Sequence, residues 1–589
     1  LNCTPTGFYD NKSCEIVKSN KITFPIISVE QYKHLALIRL KWEMNVCLVI
    51  INNSNEIIAV HDFVPIKQPD NTWVSASQTR NYMLDDPILD YLKLQNSTKT
   101  SYYNSNNSES YTKSRKRSNS DSFLENIFAQ GNNFETEIIN RLRCKLLDVN
   151  DYIQIGHSYE ARQLTKFLQT KVAIESGIPV IYQPVLWNHC NKTFGCADLI
   201  IRSDYAKKIF PSYPSLQELS PVYEVYDIKW SSIKLRADSD NICNEGSVKP
   251  FKGQLWVYNE ALNKMQSVKT RRSFIIGKSY YREKTINKKL STISFTNPFE
   301  RLGIIDFSCE TESDNVEKAT NAVKWIKDIK TNKNLVLDPP NDPRLYPNMK
   351  NTQDNGFHKQ KKELAEKNKD LTLIYCVGKR NRDIALQGGI TSYDDPRLTS
   401  KSLGFESNSK RARLIDGIID INNNVDEIIS YNKLSNYGNW SKSKIKCYVD
   451  IETINNTVYN LGLTTPNYIF MIGLGIVIDD EWSFHVFTVN QITLTEETRI
   501  LNEFENKLNE LTMISSEKSE IPIFHWSNYE NSNLKPFINI NEKFKFYDMC
   551  KWFMDDEICV KGAFDFKLKS IVSSLHKLKQ TDICWSDSV

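Results

Sequence analysis

Two short runs in this sequence carry side chains whose types and spacing could cleave a phosphodiester. In Val225-Tyr226-Asp227-Ile228-Lys229-Trp230, side chains two apart on a strand point to one face, so Asp227 and Lys229 project together while Ile228 packs behind. Glu224 faces the other way. A carboxylate beside an ammonium suits phosphodiester hydrolysis: the acid holds a divalent cation, and the lysine orients an attacking water or stabilises developing charge. The bland alternative is a strand-edge ion pair, because 75 Lys and Arg with 71 Asp and Glu produce several such triplets by chance. In Tyr448-Val449-Asp450-Ile451-Glu452-Thr453 the same alternation sets Asp450 and Glu452 on one face, a pair of carboxylates suited to a two-metal site.

The neighbours of the first run strengthen its reading. Asp198 opens the apolar strand-like run Ala197–Arg202 after Gly195 and can supply a second oxygen ligand. Gln254 and Tyr258 stand at i and i+4 of a helical stretch, both able to hydrogen-bond phosphates or bases. Glu135, in Gly131-Asn132-Asn133-Phe134-Glu135, opens a helix and is available as a further ligand or water-positioning acid.

That order, E…D…DxK…QxxxY, resembles the RecB-like branch of the PD-(D/E)XK nucleases. Trp73–Ser77, Asp85–Asp90 and Gly177–Leu186 look like that branch's framework, so the resemblance covers roughly Trp73 to Asn297. It implies a restriction-endonuclease-like core that hydrolyses DNA or RNA with Mg²⁺ or Mn²⁺. Asp198 and Asp227 would be metal ligands, Lys229 the water-orienting cation, Glu135 an auxiliary acid, and Gln254 with Tyr258 the substrate-side pair. Two departures stand out: the motif acid is Asp227 where many relatives have Glu, and a longer polar stretch than usual separates the two acid-bearing strands. Iron-sulfur relatives carry clustered cysteines; here Cys144 and Cys309 are isolated, so no iron-sulfur cluster is expected.

The second run resembles a YprB-type RNase H-like module, related to DnaQ-like 3′ to 5′ exonucleases, in which acids fall on the first strand, after the fourth strand, and later. Asp450 and Glu452 match the first motif and would hold metal, Glu530 occupies the second acid's place, and Asp548 is the downstream acid. His525, closing a strand, reads as a structural residue more readily than as a catalyst. No acid after Leu568–Ile571 fits the final position, so the module is expected to be incomplete at its C-terminus.

These side chains need several folded elements behind them. At 589 residues the chain suggests about four domains. A hydrophobic fraction of 40%, with 27 Phe, 27 Tyr and 11 Trp, excludes wholesale disorder. The net charge of +4 neither demands nor excludes a polyanionic partner. Tyr468–Ile478, the longest apolar run, is too short to span a bilayer, so no membrane partner is expected. Thirteen cysteines without a C-x-x-C pair argue against zinc modules and disulfide frameworks and suit an intracellular setting, cytoplasmic or nuclear. The opening Leu1 reads as the start of a fragment.

The expected fold is a multidomain α/β protein. Residues 1–72 read as a small α+β domain containing a hairpin over Val46–Val60. Residues 73–300 form the RecB-like domain, in which Asn96–Ser122, rich in Ser, Asn and Lys/Arg, is a disordered insertion whose KSRKR cluster reads as solvated. Within it, Phe134–Gly177 reads as helical, Pro179–Trp187, Ala197–Arg202, Val222–Trp230 and Ser273–Ile276 as strands, and Gly253–Met265 as a helix. Residues 301–440 form a mostly helical connector with a Pro-rich joint at Leu337–Pro347. There, 370–392 resembles a helix-hairpin-helix in which Lys379, Arg380 and Arg382 would grip phosphates, or else is a packed connector with a basic face. The Lys359–Lys369 run reads as a charged helix surface. Residues 441–589 form the RNase H-like module, with strands at Cys447–Thr453, Tyr468–Ile478, Trp482–Val489 and Ile521–Trp526 and a helix over Glu496–Leu511. Gly277-Lys278-Ser279 mimics the end of a phosphate loop, but Arg272 replaces the required glycine, so no ATP site is expected.

These features lead to a divalent-metal-dependent nuclease in nucleic-acid repair, replication or processing. The RecB-like resemblance implies a helicase as a fused or separate partner. The competing expectation is a catalytically inactive nucleic-acid-binding scaffold.

Overall fold

The computed structural model describes most of residues 67–584. Outside the described residues lie most of 1–66, all of 97–118, 215–219, 433–439, 456–466, 515–519 and 585–589, and a few shorter gaps. The architecture is mixed α/β with mixed sheets, in two compact units. The first joins the chain up to Met83 to Phe128–Asn332; the second joins Leu84–Ile127 to the chain from Lys333 onward. Near the N-terminus, Val49–Ile51 and Ile57–Val60 pair antiparallel, as the hairpin reading requires, while the turn between them lies outside the described residues. The same holds for 97–118 of the expected insertion; from Asn119 the chain is helical.

In the first unit, helix α1 (Asn119–Arg143) precedes strands β1 (Tyr152–Gln154), β2 (Val180–Tyr182), β3 (Leu199–Arg202) and β4 (Tyr223–Leu235). Helix α2 (Val248–Gln266) and strands β5 (Arg272–Ile286), β6 (Lys289–Phe295) and β7 (Gly303–Asp306) follow. The sheet runs β6-β5-β4-β3-β2-β1, and β7 also pairs with β5. β4 lies parallel to β5 and antiparallel to β3. One face of the sheet carries Tyr226, Ile228, Phe274 and Ile276 against Phe134, Ile138 and Leu142 of α1. Burying each such side chain contributes about 1.5–3 kcal/mol. This apolar alternation turns Asp227 and Lys229 to the opposite face.

Two expectations are corrected here. The helical reading of Phe134–Gly177 breaks into the end of α1, strand β1 and a separate helix, Leu164–Glu175. The single strand expected over Pro179–Trp187 is two strands in two sheets, β2 and Val185–Asn188, the latter in a small sheet with Thr193–Cys196 and Val74–Ser75. Pro184 cannot donate to a ladder and Gln183 has φ 50°, so the chain turns a corner between them.

In the second unit, helices His358–Lys367, Lys379–Gln387 and Lys410–Asn423 form the connector. Between 370 and 392 there is one helix, preceded by the short turn Leu371–Leu373, so the paired helices of a helix-hairpin-helix do not form. Lys361, read as helix surface, is fully buried; its ammonium meets Asp86 at 3.0 Å and Asp354 at 3.1 Å. Strands β8 (Ile445–Asn455), β9 (Asn467–Ile478) and β10 (Glu481–Thr488) are followed by helix α3 (Leu494–Ile514) and strand β11 (Ile521–His525). Helix α4 (Tyr529–Leu534), strand β12 (Phe544–Asp548) and helix α5 (Met549–Asp555) come next. Their sheet order is β10-β9-β8-β11-β12, antiparallel through β8, β9 and β10 and parallel from β8 to β12. Val449, Ile451, Leu474 and Ile476 pack on Phe504 and Leu508 of α3, which leaves the even-numbered positions of β8 on the other face.

Candidate active site

The corner at Pro184 positions the first acid. Thr193–Cys196 belongs to the small sheet and β3 to the large one, so Ala197 and Asp198 cross between them. Backbone bonds pin the crossing: Gln183 N donates to Asp198 O at 2.8 Å and Ala197 N to Pro184 O at 3.2 Å. The β3–β4 ladder ends at Leu199 opposite Tyr226. One residue beyond, the Asp198 carboxylate takes the Ile228 N–H at 2.7 Å, between the two motif residues of β4.

Lys229 Nζ lies 2.7 Å from Asp227 Oδ2 and 3.8 Å from Asp198 Oδ2, so one ammonium meets both acids. Asp227 is buried, and its Oδ1 has no hydrogen-bond partner among the described residues. Burial pushes the Asp227 carboxyl up to about 7, with Lys229 pulling it down and Asp198 adding to the rise. Burial also disfavours the Lys229 ammonium, but Asp227, Asp198 and Glu135 together outweigh it and hold its pKa above the ordinary lysine value. Immediately after Lys229 the pairing of β4 with β5 shifts register before Ser232, a local irregularity of the kind that re-aims side chains beside sites.

Glu135 sits inside α1 rather than opening a helix, because α1 begins at Asn119. It nevertheless reaches the same place: burial raises its pKa first, and the Asp198 charge second. Tyr182 OH donates to Glu135 Oε1 at 2.9 Å, and Gln183 Nε2 donates to Tyr182 OH at 3.2 Å. Tyr182 and Gln183 have no functional role in the sequence reading. The Tyr-Gln-Pro step, a strand halted by proline, was the available signal.

The helix pair is engaged in bonds within the protein. Tyr258 is 4% exposed, and its hydroxyl donates to Cys196 O at 2.8 Å. Gln254 Nε2 donates to that same hydroxyl at 3.1 Å. Tyr258 thus braces the segment that leads into Asp198. Its ring lies so close to Gly195 that a Cβ there would stand 2.5 Å from Tyr258 Cε1. Glu224 is bound behind the sheet by Arg272 and Tyr213, each at 2.7 Å. Gly277-Lys278-Ser279 lies within β5, an extended strand rather than a loop.

In the second unit, Asp450 and Glu452 are exposed on β8 and Val449 and Ile451 are buried, the expected alternation. Burial raises the Asp450 carboxyl, and the Glu530 and Glu452 charges raise it further, which brings these three acids into one electrostatic neighbourhood. Glu530 is 6% exposed and its Oε2 lacks a hydrogen bond among the described residues; His525 Nδ1 lies 3.6 Å away. His525 is buried and contacts the Ser527 carbonyl. Asp548 also has a structural role. Its Oδ1 accepts the N–H of Lys551 at 2.9 Å and of Ser527 at 3.2 Å, so it caps α5 and ties the turn after β11.

The expected phosphate contacts of the connector divide. Arg382 is 1% exposed and paired with Asp370 at 3.3 Å, with Pro347 O as a further acceptor, so it belongs to the core and cannot reach a phosphate. Lys379 pairs with Asp383, and Arg380 is exposed.

Carboxylate oxygens are hard donors suited to Mg²⁺ or Mn²⁺, and the orphaned Asp227 Oδ1 is the kind of buried atom that a cation would satisfy. Among the described residues no group of three or more His, Cys, Asp or Glu forms a ready ion cage. The donor set fits Mg²⁺, which binds through one or two carboxylates and takes its remaining ligands from water and substrate phosphate. No helix among the described residues is long and apolar enough to cross a membrane. No known family model matches this chain, and no curated protein matches it.

Proposed function

We propose that the chain is a divalent-metal-dependent nuclease that hydrolyses phosphodiester bonds of DNA or RNA. The observation that carries this reading is the meeting of Lys229 with both Asp227 and Asp198 around a buried carboxylate oxygen that has no hydrogen bond among the described residues. A buried polar atom left unsatisfied calls for an explanation, and a bound cation would supply one for this oxygen. Asp227 and Asp198 are the residues that would hold Mg²⁺ or Mn²⁺. When bound, such an ion supplies Lewis acidity at a phosphate oxygen and a water of lowered pKa. Lys229 orients the attacking water and offsets charge developing on the phosphate. Glu135, held by Tyr182, stands beside them as an auxiliary acid.

The restriction-endonuclease-like reading of the first unit is supported by the corner that delivers Asp198 to β4. The RNase H-like reading of the second is supported by a sheet with the acid-bearing strand at its centre and Glu530 directly after the fourth strand. A binding scaffold is the second reading, favoured for the second unit by the commitment of Asp548 to capping.

Hydrolysis of labelled single- and double-stranded DNA and RNA in Mg²⁺, Mn²⁺ or EDTA tests both readings, using wild type, Asp227→Ala and Asp450→Ala. Metal-dependent cutting lost in one variant assigns the active unit. Binding without cleavage in every condition rejects the nuclease.

A further inference from the structure

The face of the second sheet that carries Asp450 and Glu452 also carries large exposed rings. Trp482, Phe484 and Val486 on β10 are 59%, 60% and 50% exposed, and Tyr448 on β8 is 40% exposed. The register places them together: Tyr448 lies opposite Gly475, which lies opposite Phe484, while Asp450 lies opposite Gly473, which lies opposite Val486. The two glycines make room for the rings. A Cβ at Gly475 would stand 2.1 Å from Trp482 Cη2, and one at Gly473 would stand 3.4 Å from Phe484 Cζ. Trp482 therefore covers Gly475 beside Tyr448, at 5.6 Å between ring centroids, and Phe484 covers Gly473 beside Asp450.

We propose that this face is a stacking platform for the unpaired bases of a single-stranded nucleic acid whose backbone runs on to Asp450 and Glu452. The proposal rests on reading those two acids as a nuclease site and names the form of substrate they receive. Aromatic faces hold bases of any sequence, because every base has a π-face. Lys446 lies on the same face, in line with Val477 and Trp482, and gives a phosphate backbone a counter-charge at the far end of the platform. An apolar protein surface docked here would bury Asp450 and Glu452 without partners, at a heavy desolvation cost. A strand that arrives with a divalent ion meets those acids with opposite charge. A duplex keeps its base faces stacked internally and has none to offer the rings.

The test uses the full chain and a labelled oligothymidylate in EDTA, where metal-dependent cleavage is silent, with anisotropy as the readout. Trp482→Ala and Phe484→Ala are each expected to weaken binding roughly tenfold, the scale of one lost base stack. Trp482→Phe and Phe484→Tyr should retain it, and a duplex of equal length should bind more weakly than the single strand. Ala variants that melt like wild type and bind like wild type overturn the proposal. So do Ala variants that turn a dimer into a monomer with unchanged oligonucleotide affinity, which would assign the face to a second copy. If an Ala variant melts early, photocrosslinking of a bromodeoxyuridine strand to the wild-type chain decides: crosslinks within Glu481–Thr488 support the platform, and crosslinks confined elsewhere overturn it. A failed platform leaves the Asp450→Ala cleavage test untouched, and a chain that never cleaves can still pass the binding test.

Discussion

Asp198 Oδ2 accepts the backbone N–H of Ile228 at 2.7 Å, so the strand that projects Asp227 and Lys229 also anchors the acid that precedes the neighbouring strand. The site is thus set by backbone as well as by side chains. A substitution that moves the Gln183–Pro184 corner should disturb all three charged groups together, because that corner holds Asp198 through the Gln183 N–H.

Asp227 should make the metal-free protein less stable as pH rises. Its carboxyl is raised to about 7 by burial, above the ~3.9 of an unfolded aspartate. The folded chain keeps a proton that the unfolded chain releases between those values, so stability falls across that window and levels off above it. The loss is on the order of a few kcal/mol. Melting midpoints in EDTA from pH 5 to 8 should fall more steeply for wild type than for Asp227→Asn, and millimolar Mg²⁺ should flatten the wild-type slope. Equal slopes for the two proteins would remove Asp227 from the account.

Tyr258 and Gly195 should act on rate through position. Tyr258→Phe deletes the bond to Cys196 O and should cost about 1 kcal/mol of stability. Gly195→Ala forces a Cβ against the Tyr258 ring and should cost about 1–3 kcal/mol. In nuclease assays both variants should lower kcat with KM nearly unchanged, because both residues are buried behind the segment that carries Asp198. A rise in KM alone for Tyr258→Phe would restore the substrate-contact reading.

The alternation of Asp227 with Lys229, and of Asp450 with Glu452, was legible because a strand's period of two is visible in the apolar residues between them. The strands that carry both pairs, Tyr223–Leu235 and Ile445–Asn455, lie where that alternation puts them. What the sequence hid was tertiary. Nothing in Lys359–Lys369 marks Lys361 as buried, because its partner Asp86 lies far away in the chain. Arg382 looks like Arg380 until Asp370 is seen across from it. The i, i+4 spacing of Gln254 and Tyr258 correctly put them on one helix face, but only Gly195 shows that this face is packed.

Arg382 should therefore be a stability residue. Arg382→Met leaves Asp370 buried without its cation and should cost about 3–5 kcal/mol in chemical denaturation. Arg380→Ala should stay within about 0.5 kcal/mol of wild type, as exposed substitutions do. If Arg380 touches a phosphate, its loss should reduce the salt slope of oligonucleotide binding by roughly one. A folded Arg382→Met chain with a reduced salt slope would reverse this assignment.

The acids of the second unit can be separated by a pair of isosteric changes. Glu530 is buried near Asp450 with an Oε2 that lacks a hydrogen bond among the described residues, whereas Asp548 Oδ1 accepts two backbone N–H groups. Asparagine caps a helix about as well as aspartate, while alanine does not. Asp548→Asn should keep both stability and Mn²⁺ affinity, and Asp548→Ala should lose about 1 kcal/mol of stability with Mn²⁺ affinity intact. Glu530→Gln should weaken Mn²⁺ binding and lower the pH at which Asp450 ionises, because one of the charges raising its carboxyl is gone. Calorimetric Mn²⁺ titration of the Asp227→Ala chain, in which the first unit's site is disabled, reads the second unit's contribution directly. If Asp548→Asn abolishes that binding while Glu530→Gln leaves it unchanged, the downstream acid is the ligand, and the capping role is incidental to it.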